Sequence, residues 1–149
     1  MKGAILYYSF GGSTAKFATD FAKENGYKVF SIKEKKKRTI FGAFLKGCRQ
    51  AMKRQSIELE DAKLNWTGIE RVAVACPVWA GYPAPAFNNM IKLVPKKMPI
   101  ELYFISGSGS TRNSRAATEA MLIQEGYNIV GYHDVMTRSI FSSNTEKKA

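Results

Sequence analysis

The chain has 149 residues, of which 45% are hydrophobic and 12% are aromatic, and its formal net charge is +11. This composition is typical of a folded soluble protein, and the length suits a single domain spanning residues 1–149. Because no apolar run approaches the roughly 18 residues of a membrane-spanning helix, we expect no membrane span.

The two cysteines and the single histidine argue against several kinds of site. Cys48 and Cys76 form no C-x-x-C pair, so we expect neither a disulfide framework nor a redox motif, and a reducing cytoplasm is the expected location. His133 is the only histidine, so clustered metal ligands are missing and we expect no metal site. We also assign no catalytic residue, because packing or exposure accounts for these three side chains.

Five apolar segments predict β-strands. They occupy residues 3–9, 27–33, 71–76, 100–106 and 127–135. Runs of this kind are typical of strands that are buried on both faces, as in a parallel sheet.

Helix-like spacing separates the first three strands. The first predicted helix ends at the Asn25-Gly26 pair, where glycine stops it. Its apolar face contains Phe17, Ala18, Phe21 and Ala22. Residues 40–54 predict an amphipathic helix whose other face is basic. Its apolar stripe contains Phe41, Leu45, Cys48 and Met52, with Phe44 and Ala51 beside it.

Two further helices are predicted after the third and fourth strands. The helix after the third strand begins near two prolines and ends before Pro95. Its buried face is expected to contain Ala84, Phe87, Ile91 and Val94. The helix after the fourth strand is expected to be capped by Ser110 or Thr111 and stopped by Gly126. It bears Ala116, Ala117, Ala120 and Met121.

The order βαβαβαβαβ predicts a doubly wound parallel sheet. Residues 136–149 follow the fifth strand without a clear amphipathic pattern, so we expect the final helix to be short or missing. One face of the fourth strand would then lack a cover, although its residues Leu102, Tyr103, Phe104 and Ile105 make both faces apolar. We therefore expect either a homodimer that buries this face or a return of Ile140-Phe141 across it.

Three loops follow the first, third and fourth strands, and the carboxyl ends of strands form the ligand crevice in such sheets. The first loop reads Ser9-Phe10-Gly11-Gly12-Ser13-Thr14, and its N–H groups and hydroxyls suit an anion at a helix N-terminus. It contains neither Gly-Lys-Ser/Thr nor G-x-G-x-x-G, so it suits a monophosphate better than a triphosphate or a dinucleotide. An ordinary glycine turn explains the same pattern.

The second loop reads Pro77-Val78-Trp79-Ala80-Gly81-Tyr82-Pro83-Ala84-Pro85. Trp79 and Tyr82 have the shape to stack on a flat ring, and Gly81 allows a close backbone approach. The alternative is that Trp79 packs over the core. The third loop, Ser106-Gly107-Ser108-Gly109-Ser110-Thr111, is again small and rich in donors, and it suits the edge of the same ring.

Through these loops the sequence resembles the flavodoxin-like family, and the resemblance covers nearly the whole chain. The family's phosphate loop, Ser/Thr-x-Thr-Gly-x-Thr, aligns with residues 9–14, and its Pro-x-Trp-x-Gly loop aligns with residues 77–81. The resemblance implies a five-stranded sheet in the order 2-1-3-4-5 and non-covalently bound flavin mononucleotide (FMN). Residues 41–47 are similar to a helix inserted before the third strand in small flavodoxin-like proteins other than the carrier flavodoxins.

The resemblance also implies roles for the loop residues. The phosphate would be held by Ser9, Gly12, Ser13 and Thr14, with Phe10 contributing its backbone. The isoalloxazine would lie against the second loop, formed by Pro77, Val78, Trp79, Ala80, Gly81 and Tyr82. Its far edge would meet Ser106, Gly107, Ser108 and Gly109. Gly11 replaces a hydroxyl residue of the family, and losing one hydrogen bond of about 0.5–1.5 kcal/mol would weaken FMN binding without preventing it.

The function implied by the resemblance is electron transfer or a small oxidoreductase activity in which the flavin carries the redox chemistry. One alternative is an NAD(P)H-dependent reductase of quinones or other small acceptors. Another is a flavin-free binding module that uses its basic residues on nucleic acid or on an acidic surface. Aromatic residues interleaved for base stacking are not evident, so we expect no nucleic acid.

Residues 33–54, here called the basic segment, contain nine Lys or Arg residues and one acid, Glu34, and carry +8 of the total charge of +11. A solvated helix face is one interpretation, and an electrostatic docking site is the other. Carrier flavodoxins are usually acidic, so the opposite sign here favours an acidic redox protein such as a ferredoxin, or a nicotinamide nucleotide.

Overall fold

Five long parallel strands form the centre of the computed structural model, which describes residues 2–137 apart from the side chains at positions 43 and 44. The five long strands are β1 (Gly3–Tyr8), β2 (Lys28–Ile32), β3 (Arg71–Trp79), β5 (Pro99–Ser106) and β6 (Asn128–Met136), and a two-residue strand, β4 (Tyr82–Pro83), follows β3. The short β4 pairs antiparallel with β3, and the long strands follow the order β2-β1-β3-β5-β6. Counted without β4, this is the predicted order 2-1-3-4-5, so the doubly wound sheet is confirmed.

Helices connect the strands where the sequence predicts them. The helices are α1 (Ser13–Asn25), α2 (Ile40–Gly42), α3 (Cys48–Met52), α4 (Ala86–Met90) and α5 (Arg115–Gln124). A π-helical turn (Ala43–Gly47) joins α2 to α3, and a 3₁₀ turn (Ile91–Leu93) extends α4. Gly26 ends α1 in the left-handed region with φ of 68°, as its predicted stop requires. Within residues 2–137, no helix is long and apolar enough to cross a membrane.

Both faces of the central strands are buried. The larger cluster lies on the face covered by α4 and α5, and includes Leu6, Val74, Leu102, Phe87 and Leu122. The smaller cluster lies on the face covered by α1, and includes Ile5, Ala18, Ala22, Ala73 and Ala75. Burying one large aliphatic side chain contributes about 1.5–3 kcal/mol, so these clusters fix the direction and the neighbours of each central strand.

The connection between β2 and β3 differs from the prediction. The apolar stripe expected on the 40–54 helix is largely in solvent, since Phe41 is 72%, Leu45 54% and Met52 51% exposed. The irregular chain at residues 53–70 covers the sheet instead. Its apolar side chains that pack on the larger cluster are Ile57, Leu59, Leu64, Trp66 and Ile69.

Hydrogen bonds to β2 explain why the chain after α3 takes this course. The N–H of Lys35 donates to the carbonyl of Glu58 at 3.0 Å, and the N–H of Glu60 donates to the carbonyl of Lys33 at 2.8 Å. These bonds satisfy backbone groups beyond the end of β2 and bring the apolar side chains of residues 57–69 onto the sheet. The helical pieces at residues 40–52 therefore lie beside the carboxyl ends of the strands, next to Trp79, rather than over the face of the sheet.

The start of α5 also corrects the prediction. The helix begins at Arg115 rather than after Ser110 or Thr111. The N–H and Oγ1 of Thr111 both donate to Oδ1 of Asp134, at 3.0 and 2.8 Å, and this holds the preceding chain outside the helix. The buried positions are Thr118 and Leu122, whereas Ala116, Ala117 and Ala120 are exposed.

The last strand, expected to be buried on both faces, is a half-exposed edge strand in which Val130 is 53% exposed. The uncovered face beside α1 is more polar than predicted. The Tyr103 ring stacks on His133 with centroids 4.7 Å apart, and its hydroxyl donates to Glu101, which pairs with Arg71. Ile140-Phe141 lie outside the described residues, so the homodimer and the returning tail both stay predictions.

We predict that Trp66→Ala lowers the free energy of unfolding by about 2–4 kcal/mol, because Trp66 covers the sheet and packs on Phe30 at 5.5 Å. Phe41→Ala should change it by less than about 0.5 kcal/mol, because that side chain is exposed. Urea unfolding of both variants measures the difference. Equal losses would contradict the conclusion that the irregular chain, rather than the 40–52 helix, covers the sheet.

Candidate functional site

The loops after β1, β3 and β5 lie side by side, because these strands are neighbours and run in the same direction. Phe10 in the first loop and Trp79 in the second have ring centroids 5.7 Å apart. A Cβ at Gly81 in the second loop would lie 3.8 Å from the carbonyl oxygen of Ser110 in the third. The structure thus brings residues 9–14, 77–82 and 106–109 to one edge of the sheet, where a ligand crevice is expected.

The first loop presents backbone donors at the start of α1. Oγ of Ser9 accepts the N–H of Ala15 at 3.1 Å and caps the helix. The N–H groups of Ser13 and Thr14 belong to the first turn, where helix geometry provides no acceptor. An added Cβ at Gly11 or Gly12 would meet no atom within 4 Å, so the loop that leads into these donors borders open space. Free donors at the positive end of a 13-residue helix suit a phosphate.

The two glycines of this loop are required by the backbone. Gly11 has φ of 84° and Gly12 has φ of 97°, both in the left-handed region that favours glycine. A threonine at position 11, as in the family pattern, would be strained there. Gly11 therefore provides a conformation that turns the loop into α1, which the family's sequence pattern alone does not reveal.

The second loop is a hairpin that extends β3. Trp79 pairs with Tyr82 across a two-residue turn in which Ala80 has φ of 54° and Gly81 has φ of 80°. Positive φ at both positions defines a type I′ turn, whose twist matches that of the flanking strands. This pairing carries β3 to Trp79, beyond its predicted end at Cys76. Ala80 is under local strain, because a left-handed conformation costs a residue with a Cβ about 1–2 kcal/mol.

Trp79 is half-buried and has contacts on several sides. Its ring makes edge contacts with Tyr8 and Phe10, at centroid distances of 6.3 and 5.7 Å. The guanidinium carbon of Arg38 lies 5.4 Å from the ring centroid, and a Cβ at Gly47 would lie 2.7 Å from Cζ3 of the indole. Trp79 thus packs against the core, as one sequence interpretation holds, and remains partly exposed at the loop edge, as the other requires.

Arg38 holds the second loop and the basic segment together, a role that its place in a charge run does not indicate. Its Nε lies 2.8 and 2.9 Å from the two carboxylate oxygens of Glu34, and its Nη2 donates to Oε1 of Gln50. The side chains of Arg38 and Glu34 are only 12% and 7% exposed. A buried charge is tolerated when it is paired and hydrogen-bonded in this way. The sequence does contain one signal for this ion pair, because Glu34 and Arg38 are opposite charges four residues apart.

The third loop is exposed at Gly107, Ser108 and Gly109, while the Ser106 hydroxyl donates to the carbonyl of Gly109. No Cβ contact within 4 Å exists for either glycine, so this loop borders open space. Thr111 anchors the end of the loop through its bonds to Asp134. Loop tips anchored on a rigid sheet are suited to binding a ligand edge.

Two residues that the sequence did not single out tie the second loop to α5. Oγ of Ser114 donates to the carbonyl of Gly81 at 2.7 Å, which fixes the orientation of that peptide. Arg54 donates to Oγ1 of Thr118 at 2.9 Å and lies 5.3 Å above the ring of Tyr82. Among the described residues, Nη1 of Arg54 is the only buried side-chain nitrogen or oxygen without a hydrogen-bond partner.

Two titratable groups beneath the loops, the Cys76 thiol and the Tyr8 phenol, are kept neutral. Burial raises the pKa of the Cys76 thiol, whose side chain is fully enclosed. Burial also raises the pKa of the Tyr8 phenol, and the neighbouring Glu34 carboxylate adds to that shift. A protonated, buried thiol is a poor nucleophile. Within residues 2–137, no group of three His, Cys, Asp or Glu side chains is arranged to hold a metal ion.

Solved structures share this architecture. A candidate flavoprotein from Bacteroides eggerthii matches with a TM-score of 0.77 and 17% identity, over 99% of this chain and 98% of its own. A flavoprotein from Lactobacillus acidophilus, crystallised in complex with FMN, matches with a TM-score of 0.71 and 19% identity, over 95% and 97%. A candidate flavoprotein from Bacteroides uniformis matches with a TM-score of 0.74 and 19% identity, over 97% of each chain.

The chain has the flavodoxin-like fold. No family model matches the sequence. No curated protein matches it either. Since identities near 20% show a fold alone, the roles of the individual residues in this flavodoxin-like chain rest on its own geometry.

We predict that Gly11→Ala lowers the free energy of unfolding by about 1 kcal/mol, because a Cβ is strained at φ of 84°. Gly107→Ala is the matched control, since Gly107 lacks a positive φ and a Cβ there meets nothing within 4 Å. Its stability should stay the same or rise slightly. Thermal and urea unfolding compare the two, and equal stability of both variants would contradict the backbone role of Gly11.

Alkaline pH should destabilise the fold through its buried neutral groups. The folded-state pKa of Tyr8 lies above the ordinary value of 10.0, so its contribution is complete below pH 10 and is lost as the pH rises above that value. Between pH 10 and 11, the free energy of unfolding should fall more steeply for the wild type than for Tyr8→Phe, by up to about 1.4 kcal/mol per pH unit. Parallel curves from urea unfolding would refute this.

Proposed function

We propose that this flavodoxin-like protein binds FMN and acts in electron transfer. The observation that carries the proposal is the convergence of free helix N-terminal donors at Ser13 and Thr14 with the half-buried indole of Trp79 at one sheet edge. A phosphate and a flat ring are the two groups that such loops suit. The Lactobacillus acidophilus relative, crystallised with FMN, supports the same ligand.

The residues present fit FMN. The first loop offers backbone N–H groups and the Ser9 and Ser13 hydroxyls to the phosphate, with open space at Gly11 and Gly12. When it is bound there, FMN supplies the redox chemistry. Trp79 and the Ala80-Gly81 turn would hold the isoalloxazine, and the third loop would border its far edge.

Electron transfer needs no side chains beyond those that bind and orient the flavin. Residues 9–14, 77–82 and 106–109 contain no Asp, Glu, Lys, Arg, His or Cys, and Tyr82 is their only titratable side chain. The loops therefore bind and orient a flavin without offering it a strong acid or base. Ser114 holds the Gly81 peptide in one orientation, and that peptide would contribute to holding the isoalloxazine. We further propose that the protein acts in the cytoplasm, in keeping with its free cysteines.

FMN binding is tested by titration. We predict that FMN binds and quenches the fluorescence of Trp79, measured in a Trp66→Phe background so that Trp79 is the sole tryptophan. Riboflavin, which lacks the phosphate, should bind about 100-fold more weakly, because two hydrogen bonds to a charged group contribute about 3 kcal/mol. Trp79→Ala should also weaken FMN binding about 10-fold or more.

Three results would decide against parts of this proposal. A protein that stays colourless in excess FMN would overturn it. Equal affinity for FMN and riboflavin would remove the first loop from the phosphate site. Rapid oxidation of NADPH in the presence of a quinone would favour the reductase activity over electron transfer.

A further inference from the structure

The helical pieces at residues 40–52 expose large apolar side chains. Ile40 is 84%, Phe41 72%, Leu45 54% and Met52 51% exposed. Because all four are exposed, these side chains lie on the outward side of the helical pieces. Several large apolar side chains exposed within one short segment indicate an interaction site in a soluble protein.

The opposite side of the same helical pieces is fixed against the protein by small or polar residues. Ala51 is 1% exposed, and a Cβ at Gly47 would lie 2.7 Å from Trp79. Gln50 accepts a hydrogen bond from Arg38. One side of the helical pieces therefore packs against the rest of the protein. The exposed apolar side chains lie on the other side, where they can contact another molecule.

Positive charge surrounds this apolar face. Two of the nine cations of the basic segment are engaged internally, Arg38 with Glu34 and Arg54 with Thr118. The other seven are exposed: Lys33, Lys35, Lys36, Lys37, Lys46, Arg49 and Lys53. Lys35 has one exposed partner, Glu58, at 3.7 Å. Lys36, Lys37 and Lys46 border a cavity of about 500 Å³ beside the helix. The result is an apolar centre with a cationic rim, here called the docking surface.

The docking surface adjoins the proposed flavin site. Gly47 and Arg38 both lie against Trp79, with the Arg38 guanidinium carbon 5.4 Å from the centroid of the indole. A protein seated on Phe41 and Leu45 would therefore lie next to the second loop. Electron exchange between proteins requires such proximity of the partner to the redox group.

We infer that this docking surface binds an acidic one-electron carrier protein, an inference that rests on the proposed function and names its partner. An apolar spot with an acidic rim on the partner would match both features, and opposite charges accelerate encounter. In the transfer, one electron leaves the reduced metal centre of the carrier and enters the flavin. The carrier loses one electron and the flavin gains it, and no covalent bond forms between the proteins.

Two other occupants fit less well. A second copy of this chain would bring two cationic rims together in a self-complementary interface, and like charges oppose it. An anionic membrane matches both the charge and the apolar centre, but it gives no reason for this surface to lie against Trp79 at the proposed flavin site. The membrane is therefore an outcome for the experiment to detect.

The experiment uses the full chain loaded with FMN and a reduced plant-type ferredoxin as the acidic carrier. Stopped-flow absorbance gives the second-order rate constant of flavin reduction at several salt concentrations. Lys36→Glu with Lys46→Glu should lower it at least about 10-fold at low salt. Lys63→Glu with Lys97→Glu changes the net charge equally at exposed positions elsewhere and should lower it less than about threefold.

The apolar centre has its own matched pair of variants. Phe41→Ser with Leu45→Ser should weaken binding of oxidised ferredoxin about 10-fold by titration calorimetry, while FMN affinity stays within about twofold of the wild type. Ile123→Ser with Val130→Ser, exposed to 64% and 53%, should leave ferredoxin binding unchanged. Equal effects of test and control variants, or no ferredoxin binding by the wild type, would overturn the inference.

Two further measurements distinguish a membrane from a carrier protein and the docking surface from the flavin site. Sedimentation with phosphatidylglycerol vesicles that is lost in Phe41→Ser with Leu45→Ser, together with no ferredoxin binding, would assign the surface to a membrane and overturn the inference. Calorimetry with ferredoxin does not require flavin. A chain that refuses FMN but binds ferredoxin through this surface would therefore contradict the proposed function while supporting the docking surface.

Discussion

The burial of β1 and β3 on both faces, and of β5 on the face beneath α4 and α5, is the constraint on which the rest of the structure depends. Side chains such as Leu6, Val74 and Leu102 are fully buried, so a change in the position or direction of these strands would expose apolar surface to water. Parallel neighbours must end at the same edge, so the three loops that follow them are brought together regardless of loop sequence. The loops are consequently free to be small, polar and partly strained, as the Ala80-Gly81 turn shows.

A buried electrostatic pair links this edge to the chain that precedes it. Arg38 contacts Glu34, Gln50 and Trp79, and so joins the end of β2, the basic helix and the second loop. Removing either charge would leave the other buried without a partner, which is costly. On the other side of the loop, the hydroxyl of Ser114 donates a hydrogen bond to the carbonyl of Gly81 and holds that peptide in place. The second loop is therefore held from both flanks by side chains outside it.

The sequence predicts the strands well, because long apolar runs and glycine stops are local signals, and the resemblance to the flavodoxin-like family implies their order. It also predicts which loops meet, since that follows from strand order. It fails for the 40–54 helix, where the apolar stripe of Phe41, Leu45 and Met52 suggests a buried face. Irregular residues such as Leu59 and Trp66 cover the sheet instead, and their spacing carries no periodic signal. Arg38, Ser114 and Arg54 were missed because their partners are brought near only by folding.

The sheet is covered by residues 57–69 and not by the helical run at residues 40–52, and this affects how the protein unfolds locally. Because residues 57–69 pack on the sheet without it, the run from Ile40 to Met52 is held, among the described side chains, by Ala51, Gly47 and the Arg38 contacts. Such a unit can open at a free energy well below that of global unfolding. Amide exchange would then be fast in this run while β1 and β3 stay protected, and sequence change there would leave the core intact.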